Sequence, residues 1–291
     1  MTSIAVIGPG AIGATVAAWL SRRDANAVIV CARSPREELW VETPEGLIRS
    51  RPTILTSPDE APPSDWVLVA TKTYDSDDAS AWFAGLLRPD TRVAVLQNGV
   101  EHVERFSPYV DPARILPAVV DIPAERFSAG GVRVRRNGSI LVPAGADGDA
   151  FVDLFSASPI AVSTTADWKT AAWRKLCVNC AGVVSALTSR PAHVIHWDGV
   201  PDLMKGLVAE CVAVGRAEGA ALTDSIADEV VAAAFAAPPD SVNSILADAI
   251  ANRRTEVDAR NGVIVRLGAK HGIPTPLNAM AVTLVGAMQV V

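Results

Sequence analysis

The sequence predicts a doubly wound α/β sheet followed by an all-α region, on three observations. Short apolar runs alternate with helix-patterned segments through the first half, a G-x-G-x-x-G turn follows the first run, and the patterning becomes helical after about Asp167. The runs are "SIAVIG" (3–8), "AVIVCAR" (27–33), "DWVLVATK" (65–72), "RVAVLQNG" (92–99) and "RILPAVV" (114–120). They are continuous stretches of Val, Ile and Leu rather than apolar–polar alternations, as expected of strands buried on both faces in a parallel sheet. Between the first two runs lies "AIGATVAAWLSRRD", and between the third and fourth lies "DSDDASAWFAGLL", both with apolar residues at helical spacing. Strand and helix in alternation build a sheet covered on both sides.

From Gly130 to Ile160 the pattern alternates, and "GGVRVRRNGSILVPAG" carries Asn137-Gly138. A hairpin turning at that dipeptide is therefore expected, finishing the sheet with antiparallel strands. Asn137-Gly138-Ser139 also spells a glycosylation sequon, which has no consequence in a cytosolic chain. The segments "WKTAAWRKLCVNCAGVVSALTSR", "PDLMKGLVAECVAVGRAEGAAL", "DSIADEVVAAAFAA" and "TEVDARNGVIVRLGAKHGI" are all helix-like. Two domains are expected, 1–166 and 167–291, packed directly with a cleft between them because no Pro/Gly/Ser-rich linker separates them.

Composition excludes several classes. With 49% hydrophobic and 20% charged residues the chain is globular rather than disordered. A net charge of -6 argues against a nucleic-acid surface, and Arg22-Arg23, Arg135-Arg136 and Arg253-Arg254 read as solvated faces. "MTSIAVIGPG" enters a strand without a charged leader, and no run reaches about 18 apolar residues, so neither a secretory signal nor a membrane span is expected. The cytoplasm is the expected location. Cys177 and Cys180 spell C-x-x-C, but no second such pair exists and the pair falls inside a helix pattern. They read as small packing residues, and no metal site is expected.

Gly8, Gly10 and Gly13, with Pro9, Ala11 and Ile12 between them, open the first helix straight after the first strand. This is the Rossmann-type context. The first glycine permits the tight turn, the second lets backbone approach a pyrophosphate, and the third lets helix and strand pack closely. The helix N-terminus then offers free N–H groups to the phosphates. The second run ends "VCARS", with Arg33 and no acid to take ribose hydroxyls, so NADP(H) is expected rather than NAD. The missing acid also disfavours an S-adenosylmethionine enzyme. Lys72 and Asn98 stand at the carboxyl ends of their runs, where such sheets bind ligands.

"AAWRKLCVNC" (171–180) puts Lys175 and Asn179 on one helical face, because residues four apart stack. A nicotinamide reductase needs a protic cation at the substrate carbonyl, and an ammonium with an ordinary pKa of about 10.4 qualifies. A lysine can equally lie along apolar surface with its charge in water. Spacing alone leaves both readings open.

The chain resembles the ketopantoate reductase family, the NADPH-dependent 2-dehydropantoate 2-reductases of pantothenate biosynthesis. The resemblance is carried by "GPGAIG" with its helix, "VATKTYD", "LQNGV", "WRKLCVN", "NSILADAIANRRTEVDARNG" and "HGIPTPLN", and it spans nearly the whole length. It implies that Lys175 is the general acid, that Glu256 orients substrate and lysine, and that Ser244 and Asn98 hold the keto acid. Asn179 then resembles a substrate-side amide, and Arg33 and Lys72 the ligands of the NADP phosphate. From the residues alone, Glu256 could instead pair with Arg253 or Arg260.

The match departs in places. "CAGVVSALTSR" has Gly182 and Val183 where the family supplies a second substrate amide, "RPAHVIHWDG" offers His193 and His196 where a further Asn is usual, and "PAVVDIPAERFSAGG" replaces a Thr-rich stretch. These changes leave the reaction intact and fit a different or more apolar 2-keto acid, since a lost hydrogen-bond partner penalises a substrate hydroxyl. The expectation is NADPH-dependent reduction of a small 2-keto acid. An NADP-binding sensor without turnover, or an imine or other carbonyl reductase, is the alternative. The helical half has enough apolar faces to support a homodimer.

Overall fold

The computed structural model describes residues 1–127 and 131–289; Gly130, the expected start of the antiparallel segment, and residues 290–291 of the second expected domain lie outside them. The chain forms two compact units: Met1–Gln97 with His102–Trp168, and Asn98–Glu101 with the residues from Lys169 onward.

The main sheet of the first unit has six strands. In spatial order they are β5 (Thr53–Leu55), β2 (Asn26–Cys31), β1 (Thr2–Ile7), β6 (Trp66–Val69), β7 (Arg92–Val95) and β8 (Ile115–Pro117). Every pairing is parallel. Ile4, Val6, Leu68 and Ala94 fill one face, while Ala5, Ile7, Val67, Val69, Val93 and Val95 fill the other. Successive residues of a strand point to opposite faces, so a strand covered on both sides must be apolar at every position. Each of the five runs read from the sequence contributes one of these six strands, although the last, 114–120, divides: only Ile115–Pro117 joins this sheet, and Val119 and Val120 belong to a separate three-stranded one. The segment after the third run is split into a 3-10 turn (Thr73–Asp75) and two short helices. The helices of this unit are α1 (Ala11–Leu20), α2 (Ser76–Ser80), α3 (Phe83–Leu86), α4 (His102–Phe106) and α5 (Ala146–Leu154).

The expected hairpin at Asn137-Gly138 is not formed. β11 (Gly131–Val134) joins a four-stranded sheet with β10 (Ala124–Arg126), β3 (Leu39–Thr43) and β4 (Gly46–Ser50). β12 (Ser139–Pro143) joins a three-stranded sheet with β13 (Ala161–Thr165) and β9 (Val119–Asp121). A two-residue hairpin turn of this kind needs positive φ at both residues. Neither Asn137 nor Gly138 has it. Gly138 serves a close approach instead: a Cβ there would lie 2.4 Å from the Asp121 carbonyl oxygen and 2.7 Å from Ile122 Cα. Consecutive strands do pair antiparallel elsewhere: β10 with β11, and β3 with β4, the latter closed by "TPEG" with Gly46 at φ +124.

The second unit is helical, with α6 (Trp168–Ala181), α7 (Val183–Thr188), α8 (Val200–Ala217), α9 (Ile226–Ala236), α10 (Ser244–Ile250), a π-turn (Asp258–Gly262), α11 (Val263–His271) and α12 (Pro276–Met288). One core joins Trp173, Leu176, Leu207, Val208, Ile245, Val263, Ile264 and Ala281. Cys177 and Cys180 are fully buried in it, with Cys177 Sγ 3.6 Å from Cys211 Sγ. Among the described residues no helix is long and apolar enough to cross a membrane.

Candidate active site

In the first unit the glycine turn is built as its sequence requires. Gly8 has φ +87, and a Cβ there would meet Thr71 Cγ2 at 2.7 Å. Its N–H donates to the Cys31 carbonyl at 3.0 Å, fixing the turn to β2. A Cβ at Gly13 would lie 2.1 Å from the Gly8 carbonyl oxygen, so α1 can rest on β1 only with glycine there. Around Gly10 nothing lies within 4 Å of a would-be Cβ. Gly10 caps α1 without a side chain, and no acid occupies the first turn. The positive end of the helix therefore meets no carboxylate of that turn, and open space lies beside it. That arrangement fits a dinucleotide pyrophosphate.

Around this loop the structure adds residues that the sequence pattern did not mark. Gln97 is buried, and its Nε2 lies within hydrogen-bond reach of Thr71 Oγ1 (3.0 Å), the Lys72 carbonyl (3.3 Å) and Ser76 Oγ (3.1 Å). One amide thus ties the end of β7 to the loop that carries Lys72. Arg36 Nη1 donates to the Pro9 carbonyl at 3.2 Å, holding the glycine turn from outside. Burial, and then the neighbouring Arg126, lower its pKa below the ordinary arginine value. Neither Gln97 nor Arg36 carries a spacing signal; only its position beside Asn98 in "LQNG" pointed toward Gln97. Arg33 is exposed at the end of β2 and pairs with the Asp75 carboxylate. Lys72 is half-buried just before the 3-10 turn.

The second unit holds the residues expected on the substrate side. On α6, Trp173, Leu176, Cys177 and Cys180 point into the core while Arg174 and Val178 face out. Lys175 and Asn179 occupy the stripe between, Lys175 half-buried and Asn179 buried. Asn179 Nδ2 lies 3.4 Å from Asn98 Oδ1, and Asn98 Nδ2 donates to Glu256 Oε2 at 3.0 Å. The two ends of the Asn98 amide therefore meet Asn179 and Glu256. Gly99, at φ +103, lets this loop lie against the π-turn, for a Cβ there would come 3.0 Å from the Ala259 carbonyl oxygen. Glu256 is buried immediately before the helical segment begins. The following turn is widened into a π-helix, a feature frequent at functional sites.

Arg253, one of the partners open to Glu256, pairs with buried Asp248 instead, at 3.0 Å. Arg260 is the guanidinium near Glu256, and its Nη2 donates to Ser244 Oγ at 2.6 Å. Asn261 is fully buried and donates from Nδ2 to the Cys180 carbonyl at 3.1 Å and to Asn278 Oδ1 at 2.9 Å. This amide locks the π-turn to α6 close to Asn179. At Gly182, where the family amide is missing, the carbonyl accepts from Asn243 Nδ2 at 2.9 Å, and Asn243 Oδ1 caps α10. His193 Nδ1 lies 3.3 Å from the Pro239 carbonyl, and His196 packs edge-on against Phe235. The Glu256 carboxylate, the Asn98 and Asn179 amides and the Ser244 hydroxyl thus belong to the same unit as Lys175. Such a set can bind a carbonyl compound and protonate its oxygen.

Comparison with known proteins gives two family matches. The model described as ketopantoate reductase PanE/ApbA matches residues 4–147, and its C-terminal counterpart matches residues 167–289. A 2-dehydropantoate 2-reductase from Caulobacter vibrioides is 55% identical, over 99% of this chain and 99% of its own. One from Mycobacterium tuberculosis is 40% identical, over 98% and 97%. Among solved structures, a ketopantoate reductase from Staphylococcus aureus described as dimeric superposes with a TM-score of 0.88 at 25% identity, covering 99% of this chain and 98% of its own.

Proposed function

This chain belongs to the ketopantoate reductase family, and from that membership we propose that Lys175, Glu256, Asn98, Asn179 and Ser244 carry its reaction. The protein is an NADPH-dependent oxidoreductase that reduces a small 2-keto acid, 2-dehydropantoate, to the 2-hydroxy acid. When bound, NADPH supplies the hydride. Gly8, Gly10 and Gly13, with Pro9, Ala11 and Ile12, would hold its pyrophosphate at the N-terminus of α1, and Arg33 and Lys72 its 2′-phosphate.

The Lys175 ammonium hydrogen-bonds the substrate carbonyl oxygen and hands over a proton from Nζ as that oxygen gains charge. Asn98 and Asn179 do the positioning. Glu256, held by the Asn98 amide at 3.0 Å, presents a fixed carboxylate that orients lysine and substrate. Ser244 offers its hydroxyl to the acid end. The observation that carries this reading is the bonded run Asn179–Asn98–Glu256, drawn from three separate stretches of chain, with Lys175 one turn away on the face of Asn179. A cofactor-binding sensor has no use for such a set, and an imine reductase no use for the acid-binding end.

Replacing Lys175 by Ala tests it. The variant should fold, bind NADPH as before, and lose about a thousandfold in kcat; wild-type turnover would overturn the assignment. We also place the protein in the cytoplasm and propose a homodimer. Met280, Leu284 and Met288 recur every fourth residue along α12 and are 44%, 46% and 46% exposed, an apolar stripe suited to a second copy. Sedimentation of the wild type against Leu284→Glu reads the oligomeric state.

A further inference from the structure

Arg260 is 3% exposed, yet it carries a full charge on the π-turn beside Glu256. A desolvated guanidinium is costly unless anions and acceptors answer it. Its Nη2 donates to Ser244 Oγ at 2.6 Å, whereas its Nε is buried with no partner among the described residues. Ser244 is exposed, so the pair leads from a buried charge to an open surface.

Two physical arguments converge on what belongs there. The first is charge. Burial lowers the pKa of Arg260, and the nearby Glu256 and Asp248 carboxylates oppose that shift. Because Asp248 also serves Arg253, an anion bound at Arg260 would add to the compensation that Glu256 gives its buried charge. The second is hydrogen-bond direction. A serine hydroxyl has one proton and two lone pairs. With Nη2 occupying a lone pair, the Ser244 proton is turned away from Arg260 and is left to donate. A planar guanidinium edge next to a donating hydroxyl matches the two oxygens of a carboxylate.

We propose that Arg260 anchors the carboxylate of the substrate, supplying the charge while Ser244, oriented by it, supplies a hydroxyl hydrogen bond. This rests on the reading of the substrate as a 2-keto acid. A 2-keto acid then binds with its acid end at Arg260 and Ser244 and its keto oxygen toward Lys175, so that the carboxylate decides which carbonyl compounds are taken. A neutral ester of the same keto acid keeps the carbonyl and loses the anchor.

The experiment compares the full-length wild type with Arg260→Met, Arg260→Lys and Ser244→Ala, using 2-dehydropantoate and its methyl ester as parallel substrates. In Arg260→Met, KM for the acid should rise about a hundredfold while KM for the ester and for NADPH stays level, and Arg260→Lys should recover part of the loss. An equal change for acid and ester, or an unchanged KM for the acid, would overturn the proposal. Should Arg260→Met not fold, Arg260→Lys and Ser244→Ala must still separate acid from ester. In the wild type, a buried guanidinium signal of nitrogen-labelled arginine must also shift when oxamate is added with NADP; no shift counts against the anchor. If the wild type fails to oxidise NADPH with any keto acid but the oxamate shift appears, the reaction assignment falls and the anchor stands. If turnover is normal and the variants do not distinguish acid from ester, the reverse holds.

Discussion

Asn98 Nδ2 and Glu256 Oε2 meet at 3.0 Å although 158 residues separate them in sequence. Asparagine at 98 gives Glu256 a donor without adding charge. Asn98→Asp would set a second carboxylate against the first, and two such groups cannot both ionise cheaply, so one of the pair keeps its proton to a pH above the ordinary carboxylate range. At neutral pH kcat/KM should fall about a hundredfold or more, with partial recovery in acid as the pair is protonated. Asn98→Ala should lose activity without that acid recovery. The pH profiles of the two variants decide it; superimposable profiles would contradict the pairing.

Gly10 and Gly13 should fail in different ways. Gly13→Ala places a Cβ 2.1 Å from the Gly8 carbonyl oxygen and should lower stability by about 1–3 kcal/mol. Gly10→Ala meets no protein atom within 4 Å, so it should melt like the wild type while binding NADPH about tenfold more weakly. Melting curves and cofactor titrations, run side by side, separate packing from ligand approach.

Arg33→Ala should raise KM for NADPH about tenfold to a hundredfold and leave KM for NADH nearly unchanged, because only the phosphorylated ribose needs the guanidinium. The wild-type side chain is exposed and paired with Asp75, so it is already directed over the loop that follows Lys72. Equal losses with both cofactors would move the 2′-phosphate site elsewhere.

His102 makes folding sensitive to acid. Burial pushes its pKa from 6.5 down to about 4, against the opposing pull of the Gln97 carbonyl that it contacts at 2.9 Å. The folded state holds the ring neutral, with its edge against Trp168. Its contribution is complete above the unfolded pKa and is lost as pH falls from about 6.5 toward 4. Urea unfolding should weaken by about 2 kcal/mol between about pH 7 and about pH 5, and His102→Asn should flatten that slope. An acid slope that persists unchanged in the variant would assign it to other groups.

The parallel strands and glycine turn were legible in the sequence because their causes are local. A strand covered on both faces has to be apolar throughout, and a helix that starts against a strand has to leave out a Cβ at Gly13. The same holds for Lys175 and Asn179, whose four-residue spacing stacks them whatever surrounds the helix. The Asn137-Gly138 hairpin failed for the converse reason: a dipeptide that suits a turn also suits a close backbone approach, and Asp121 and Ile122 determine which one occurs.

Local chemistry in the sequence thus determined the fold class, the cofactor loop and the lysine's face of α6, along with a resemblance that pointed to the reaction. Tertiary structure alone decided that Glu256 bonds to Asn98 while Arg253 is taken by Asp248, that Gln97 holds the Lys72 loop, and that Arg260 lies buried against Ser244. Periodicity reports which side of an element is covered. It cannot report which polar group across the chain will stand within 3 Å, because burial forces each such group to find some partner and only the assembled backbone selects which.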